Sequence, residues 1–279
     1  MNVQLCAHHM SSQQSISYFC TTHFIFAMFS QNITYTGSQS TAFVSEARQI
    51  VGECTNARIT GKAALDTVIF GGNGVTGVVG ILLDVLNLWG VVEGAASASN
   101  NNGSLDKRPV VFVGPHEHHS NLLPWRESGC EVVTIPERSS DGMVDIDELD
   151  RLLQLPRYGP SSGRLRMGAF SAVSNVTGII ADVDRIAIVL HRHGALAFFD
   201  YASGAPYTKM DMNPNSVKYQ EDYAANEGEV VDPSKDAIYF SPHKCYGGTS
   251  TPGVLVIKKH VSIDIIVLCC RSFSIALTP

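Results

Sequence analysis

The sequence predicts an α/β fold in which a mostly parallel central sheet carries helices on both faces. Three observations lead there. From about Thr41 onward, short apolar runs alternate with stretches of helical periodicity, which is how βαβ units read in sequence. The chain has 279 residues, 44% of them apolar and only 16% charged, enough for one large α/β domain or two smaller ones with a substantial core. Glycine-rich or polar clusters stand where the apolar runs hand over to the helical stretches, as turns at strand ends require.

The elements follow in order. Residues 43–53 have helical spacing, 67–70 read as a strand, and 75 to about 88 as a helix that starts in a glycine-rich turn. Next come a strand at 110–113, a helix near 120–128 and a strand at 131–135. A helix at 147–155, a strand at 165–171, a helix at 183–193 closed by Gly194, and a buried strand at 195–199 continue the alternation. Strands at 237–240 and 254–257 complete the sheet. Two insertions, 95–107 rich in Asn, Ser and Gly and 213–235 rich in charge and Asn, read as surface loops. Residues 1–35 lack periodicity and are expected to be irregular, 36–260 form the α/β domain, and 261–279 make an anomalous apolar tail without turn, cap or charge pattern.

The formal charge of −6 argues against a nucleic-acid surface, which needs clustered Lys and Arg, and favours small-molecule chemistry. Seven scattered cysteines with no Cys-x-x-Cys pair suggest neither a disulfide framework nor a zinc module, and fit a reducing compartment. The first basic residue is Arg48, so the N-terminus shows no secretory or mitochondrial leader, and a cytoplasmic location is expected. Asp264 and Arg271 interrupt the tail short of the ~20 apolar residues of a spanning helix, so no membrane association is expected.

Four features fall at strand ends, where open α/β sheets bind ligands. The first strand runs into Gly71-Gly72-Asn73-Gly74-Val75-Thr76-Gly77, whose backbone N–H groups and helix N-terminus suit a phosphate. The strand at 110–113 leads to Gly114-Pro115-His116-Glu117-His118-His119-Ser120-Asn121, presenting imidazoles able to cover a planar ring. After five apolar residues comes Asp200, a carboxylate that needs a cationic partner such as a protonated pyridine nitrogen. The strand at 237–240 ends in Ser241-Pro242-His243-Lys244, where a desolvated lysine with lowered pKa would be a nucleophile able to form a Schiff base. Adjacent histidines in an extended run face opposite ways, so His116, His118 and His119 are not read as a metal site.

In order and approximate spacing, Glu117-His118-His119-Ser120-Asn121 with Pro124-Trp125, Ser174-Asn175-Val176-Thr177-Gly178, Asp200 and Ser241-Pro242-His243-Lys244 resemble the class V aminotransferase family of fold-type I pyridoxal-phosphate (PLP) enzymes. The nearest branch is the cysteine desulfurases and selenocysteine lyases. The resemblance covers about residues 29–259 and implies pyridoxal 5′-phosphate as cofactor, an amino acid as substrate and a homodimer as the assembly. It implies that Lys244 is the Schiff-base lysine and the acid and base for the α-proton, that Asp200 faces the pyridine nitrogen, and that His118 stacks on the ring. Thr76, Ser241 and His243 would hold the phosphate with the backbone of Gly74 and Val75. Asn175 would approach the 3-oxygen, and Ser203 stands where that branch usually has Gln.

The resemblance also implies a small C-terminal domain with a substrate-carboxylate arginine and a desulfurase cysteine, which have no counterpart before residue 279. A truncated or mis-spliced product is therefore expected, either an incomplete desulfurase or aminotransferase or a non-catalytic remnant acting as a binding scaffold. The competing reading comes from Gly72, Gly74 and Gly77, which satisfy G-x-G-x-x-G with Glu93 about 20 residues on, the pattern of an NAD-dependent oxidoreductase. That reading needs a second strand ending at Glu93 and leaves Asp200 and Lys244 unexplained.

Overall fold

A computed structural model describes residues 35–62, 64–88, 107–224, 230–246 and 251–261. The expectations for 1–34, for the loop at 95–106, for Glu93 and for the tail beyond Val261 lie outside the described residues. The described elements run α1 (Tyr35–Cys54), β1 (Asp66–Asn73), α2 (Gly74–Val85), β2 (Val110–Val113), α3 (His119–Glu127), β3 (Glu131–Thr134) and α4 (Ile146–Gln154). They continue with β4 (Arg166–Ser171), α5 (Val183–Arg192), β5 (Leu196–Asp200), α6 (Val217–Tyr223), β6 (Ala237–Phe240) and β7 (Pro252–Lys258).

One sheet holds all seven described strands in the order β1-β7-β6-β5-β4-β2-β3. Strands β2 to β6 pair in parallel, and β7 runs antiparallel to both β6 and β1. Alternation along β2 shows how the sequence makes three layers. Val110 and Phe112 join the core under α1, α4 and α5, with Val51, Leu149 and Leu190, while Val111 and Val113 join the opposite core with Val79 and Leu82 of α2 and Trp125 of α3. The expected mostly parallel sheet with helices on both faces is thus what forms.

Local chemistry sets the helix starts. Asp145 Oδ1 accepts the Glu148 amide at 3.0 Å ahead of α4, and Asp182 Oδ1 accepts the Arg185 amide at 3.1 Å ahead of α5. Helix α1 begins eight residues before the apolar pattern does, because its first turns bury small residues, Gly37 and Ser40, on the same side as Val44, Ala47 and Val51.

One expectation is corrected. Residues 213–235 are not simply a surface loop: they carry α6, and Lys235 is fully buried, with its Nζ on Asp184 Oδ1. Tyr219 of α6 donates its hydroxyl to the other oxygen of Asp184, and Asn213 holds Asp66 and Lys258. Charged and amide residues that read as solvated are internal pairs here, satisfying one another where water is excluded. Among the described residues no helix is long and apolar enough to cross a membrane.

Candidate active site

Because β1, β2, β4, β5 and β6 all run one way, the segments that follow them gather at one edge of the sheet. At that edge the glycine turn between β1 and α2 packs on the turn after β6. Gly72 and Gly74 have φ of +61° and +63°, which a side chain would strain. A Cβ on Gly74 would come within 2.6 Å of His243 Cε1 and 2.9 Å of Ser241 Oγ. The Val75 amide donates to Ser241 Oγ at 2.8 Å, and Thr76 Oγ1 donates to Ser120 Oγ at 2.8 Å. Gly74, Val75, Ser241 and His243 are therefore one cluster, with Thr76 beside it on the first turn of α2.

Gly72 and Gly77 have a packing reason of their own. A Cβ on Gly72 would lie 2.5 Å from Gly77 Cα, so the turn closes only without side chains. A dinucleotide fold also needs its first strand inside a parallel sheet, whereas among the described residues β1 pairs only with β7, and antiparallel. The oxidoreductase alternative finds no support.

Asp200 ends β5 at 4% exposure, opposite Ser171 of β4 and Tyr239 of β6 in the strand register. Its Oδ1 accepts the Ala202 amide at 2.7 Å, and among the described residues no cationic side chain forms an ion pair with it. Burial pushes this carboxyl up to about 7, with the negative charge of Glu117 adding to the effect; the Ala202 amide and the positive charge of Lys244 pull the other way. The sheet thus buries an acid that lacks a cation.

His118 precedes α3 in extended backbone, and its Nδ1 accepts the Ser120 amide at 3.1 Å. Its pKa lies below the ordinary value, through burial first and then the charges of Lys244 and His119. Electrostatics therefore couple Lys244 to both His118 and Asp200. The expectation of a desolvated Lys244 is corrected, since Lys244 is exposed. It closes the 3-10 turn Pro242–Lys244, which lifts it clear of the buried Phe240, Ser241 and Pro242.

Asn175 is exposed at the tip of a turn after β4, where Ser174 Oγ accepts the Val176 and Thr177 amides at 3.3 and 3.2 Å. Ser203 is half-buried in the turn after β5. Both stand at the same edge, but neither side chain bonds to Asp200, His118 or Lys244.

A second group escaped the sequence reading. Glu117 accepts Asn121 Nδ2 at 2.6 Å, the Ser171 amide at 2.7 Å, Ser171 Oγ at 2.8 Å and the Gly114 amide at 3.2 Å. Tyr239 in turn donates its hydroxyl to Asn121 Oδ1 at 2.6 Å. The four-residue spacing of Glu117 and Asn121 across a helix start was the available signal.

Comparison with known proteins agrees with this geometry. A profile of the family described as "Aminotransferase class-V" matches residues 92–218, a stretch that includes His118, Asn175, Asp200 and Ser203 but ends before Lys244. A "Probable cysteine desulfurase" of Halalkalibacterium halodurans is 30% identical over 167 residues, 58% of this chain and 34% of that protein. A cysteine desulfurase of Escherichia coli is 30% identical over 155 residues, 54% of this chain and 32% of its own length. The chain thus spans about a third of these relatives. Among solved structures, an apo cysteine desulfurase of Thermococcus onnurineus superposes with a TM-score of 0.56 at 20% identity, covering 88% of this chain and 51% of the other, which shows a shared fold. Over residues 92–218 the chain is thus similar to the class-V aminotransferase family, and its cysteine desulfurase relatives match in the same direction.

Proposed function

We propose that this edge binds pyridoxal 5′-phosphate, and that the chain supplies the large-domain side of an enzyme acting on an amino acid by carbon–sulfur or carbon–selenium cleavage, with transamination as the neighbouring reaction. The observation that carries the reading is Asp200. A buried carboxyl whose proton affinity is raised, with no cation bonded to it, suits a protonated ring nitrogen, which would satisfy both its charge and its free oxygen. The crowding of Gly74 against Ser241 and His243 fits the other end of the cofactor, because it sets an amide-lined helix start beside a hydroxyl and an imidazole.

When bound, the cofactor would supply an electron sink for negative charge at the substrate α-carbon. Asp200 would hold the proton at the ring nitrogen and so keep that sink strong. Lys244 would hold the cofactor covalently through Nζ, and its amine would move the substrate α-proton as base and then acid. Its exposure leaves the amine free to do both. His118, with its lowered pKa, is neutral at neutral pH and would cover the ring with an uncharged imidazole. Gly74, Val75, Thr76, Ser241 and His243 would hold the phosphate, and Asn175 and Ser203 would face the 3-oxygen and the substrate.

The same reading takes residues 36–260 as the cofactor-binding domain. A cytoplasmic homodimer, with this chain as a fragment of the full enzyme, completes it. The test is an absorbance titration of the purified chain with pyridoxal 5′-phosphate, alongside sulfide and alanine release from cysteine. A saturable visible band lost in Lys244→Ala supports the cofactor site, and sulfide release supports the desulfurase assignment. A band that persists in Lys244→Ala, or no band at all, refutes the site.

A further inference from the structure

Glu117 has no part in the roles above, yet its surroundings are more constrained than those of any residue that has one. Four donors converge on its carboxylate, from Gly114, Asn121 and both the amide and hydroxyl of Ser171. Asn121 is fully buried, and its orientation is fixed because Tyr239 can only donate to its Oδ1, which turns Nδ2 toward Glu117. An acceptor-only carboxylate suits this set, whereas an amide would turn an N–H toward a donor.

The strand register shows what the network surrounds. Ser171 of β4 and Tyr239 of β6 are the two residues paired directly with Asp200 of β5. Both lead back to Glu117, Ser171 by direct hydrogen bonds and Tyr239 through Asn121. Glu117 also immediately precedes His118. We propose that Glu117 is a positioning residue for Asp200: it ties together the two strands that flank Asp200 and places a second negative charge within its electrostatic reach. Asp200 therefore holds a proton, or a cationic ring nitrogen, more firmly than a lone carboxylate at the strand end would.

Among the described residues, the charges that act on Asp200 are few. Glu117 comes from the β2–α3 segment, Tyr239 from β6 and Lys244 from the turn after β6, with His118 in the field of Lys244; the β4 neighbour, Ser171, is neutral. Burial raises Glu117 as well, and the bonds from Asn121, Ser171 and Gly114 oppose that rise. Removing the Glu117 charge is thus the cleanest perturbation of Asp200, since Lys244 acts in the opposite direction.

The catalytic consequence rests on the cofactor reading above, but the charge coupling belongs to the chain itself and is measured without cofactor. The full chain is labelled with carbon-13 at the aspartate side-chain carboxyls, the Asp200 signal is assigned by its loss in Asp200→Asn, and its chemical shift is followed with pH. In Glu117→Gln the Asp200 midpoint is expected to fall by about one pH unit or more. Tyr239→Phe, which frees Asn121 but keeps the charge, is expected to leave the midpoint above that of Glu117→Gln. The unmodified chain gives a check independent of folding in the variants, because coupled carboxyls make the Asp200 curve bend in two steps. A one-step curve in the unmodified chain, or an unchanged midpoint in folded Glu117→Gln, overturns the proposal. Failure of pyridoxal 5′-phosphate to bind the unmodified chain would count against the cofactor reading and leave this titration standing.

Discussion

Asp200 joins burial, charge and register in one side chain, and its pH behaviour is a stability statement. Folding raises its pKa from the ordinary 3.8 to about 7, so the folded state binds the proton more tightly than the unfolded state does. The contribution is fully present below the unfolded pKa and is lost as pH rises through the folded one. Between pH 4 and pH 8 the cofactor-free chain should lose up to about 4 kcal/mol from this group, and Asp200→Asn should not. Denaturant midpoints at the two pH values for both proteins check this. At the same scale, Ser241→Ala removes the acceptor of the Val75 amide and should weaken cofactor affinity about tenfold, about 1.4 kcal/mol, as read by fluorescence titration.

Single residues were readable in the sequence where each stood alone after an apolar run. Lys244, Asp200 and His118 do stand at strand ends on one edge. Their surroundings were not readable. Whether Lys244 is covered depends on a three-residue turn that lifts it away from the strand, and the Glu117–Asn121–Tyr239 chain joins positions more than a hundred residues apart.

Elements were readable when their own packing decided them. β2 and β6 form at the residues expected, since each is a run of four buried apolar residues between polar turns. β1 runs three residues further than its apolar run, to Asn73, because Gly71 and Asn73 pair with Gly253 and Pro252 across an irregular register. Where β7 meets the glycine turn, a Cβ on Gly253 would lie 2.3 Å from the Gly74 carbonyl oxygen. Gly253→Ala should therefore destabilise the chain by about 2 kcal/mol and weaken cofactor binding along with it, since the turn that faces Ser241 must shift. Thermal melts paired with cofactor titration test both halves of that statement.

At the scale of the whole molecule, two helical layers enclose a seven-stranded sheet, and the alternation of apolar runs was sufficient to foresee it. It was not sufficient to foresee where Lys235 would be buried. Lys235 stands against Asp184 inside the helical layer, and burial lowers its pKa despite that partner. Asp184→Asn leaves the ammonium without its counter-charge and should cost about 3 kcal/mol, measured as a shift in urea midpoint. The arrangement of the sheet matters most for what it brings to one edge, where an acid without a bonded cation, a neutral imidazole and an exposed lysine share one field. The most direct test of their joint purpose is to incubate the full chain with pyridoxal 5′-phosphate, reduce with borohydride and map the adduct by peptide mass spectrometry. One phosphopyridoxyl group on Lys244, sharply diminished in Asp200→Asn, is the predicted result; label spread over exposed lysines such as Lys62, Lys209 and Lys259 and indifferent to Asp200 would contradict it.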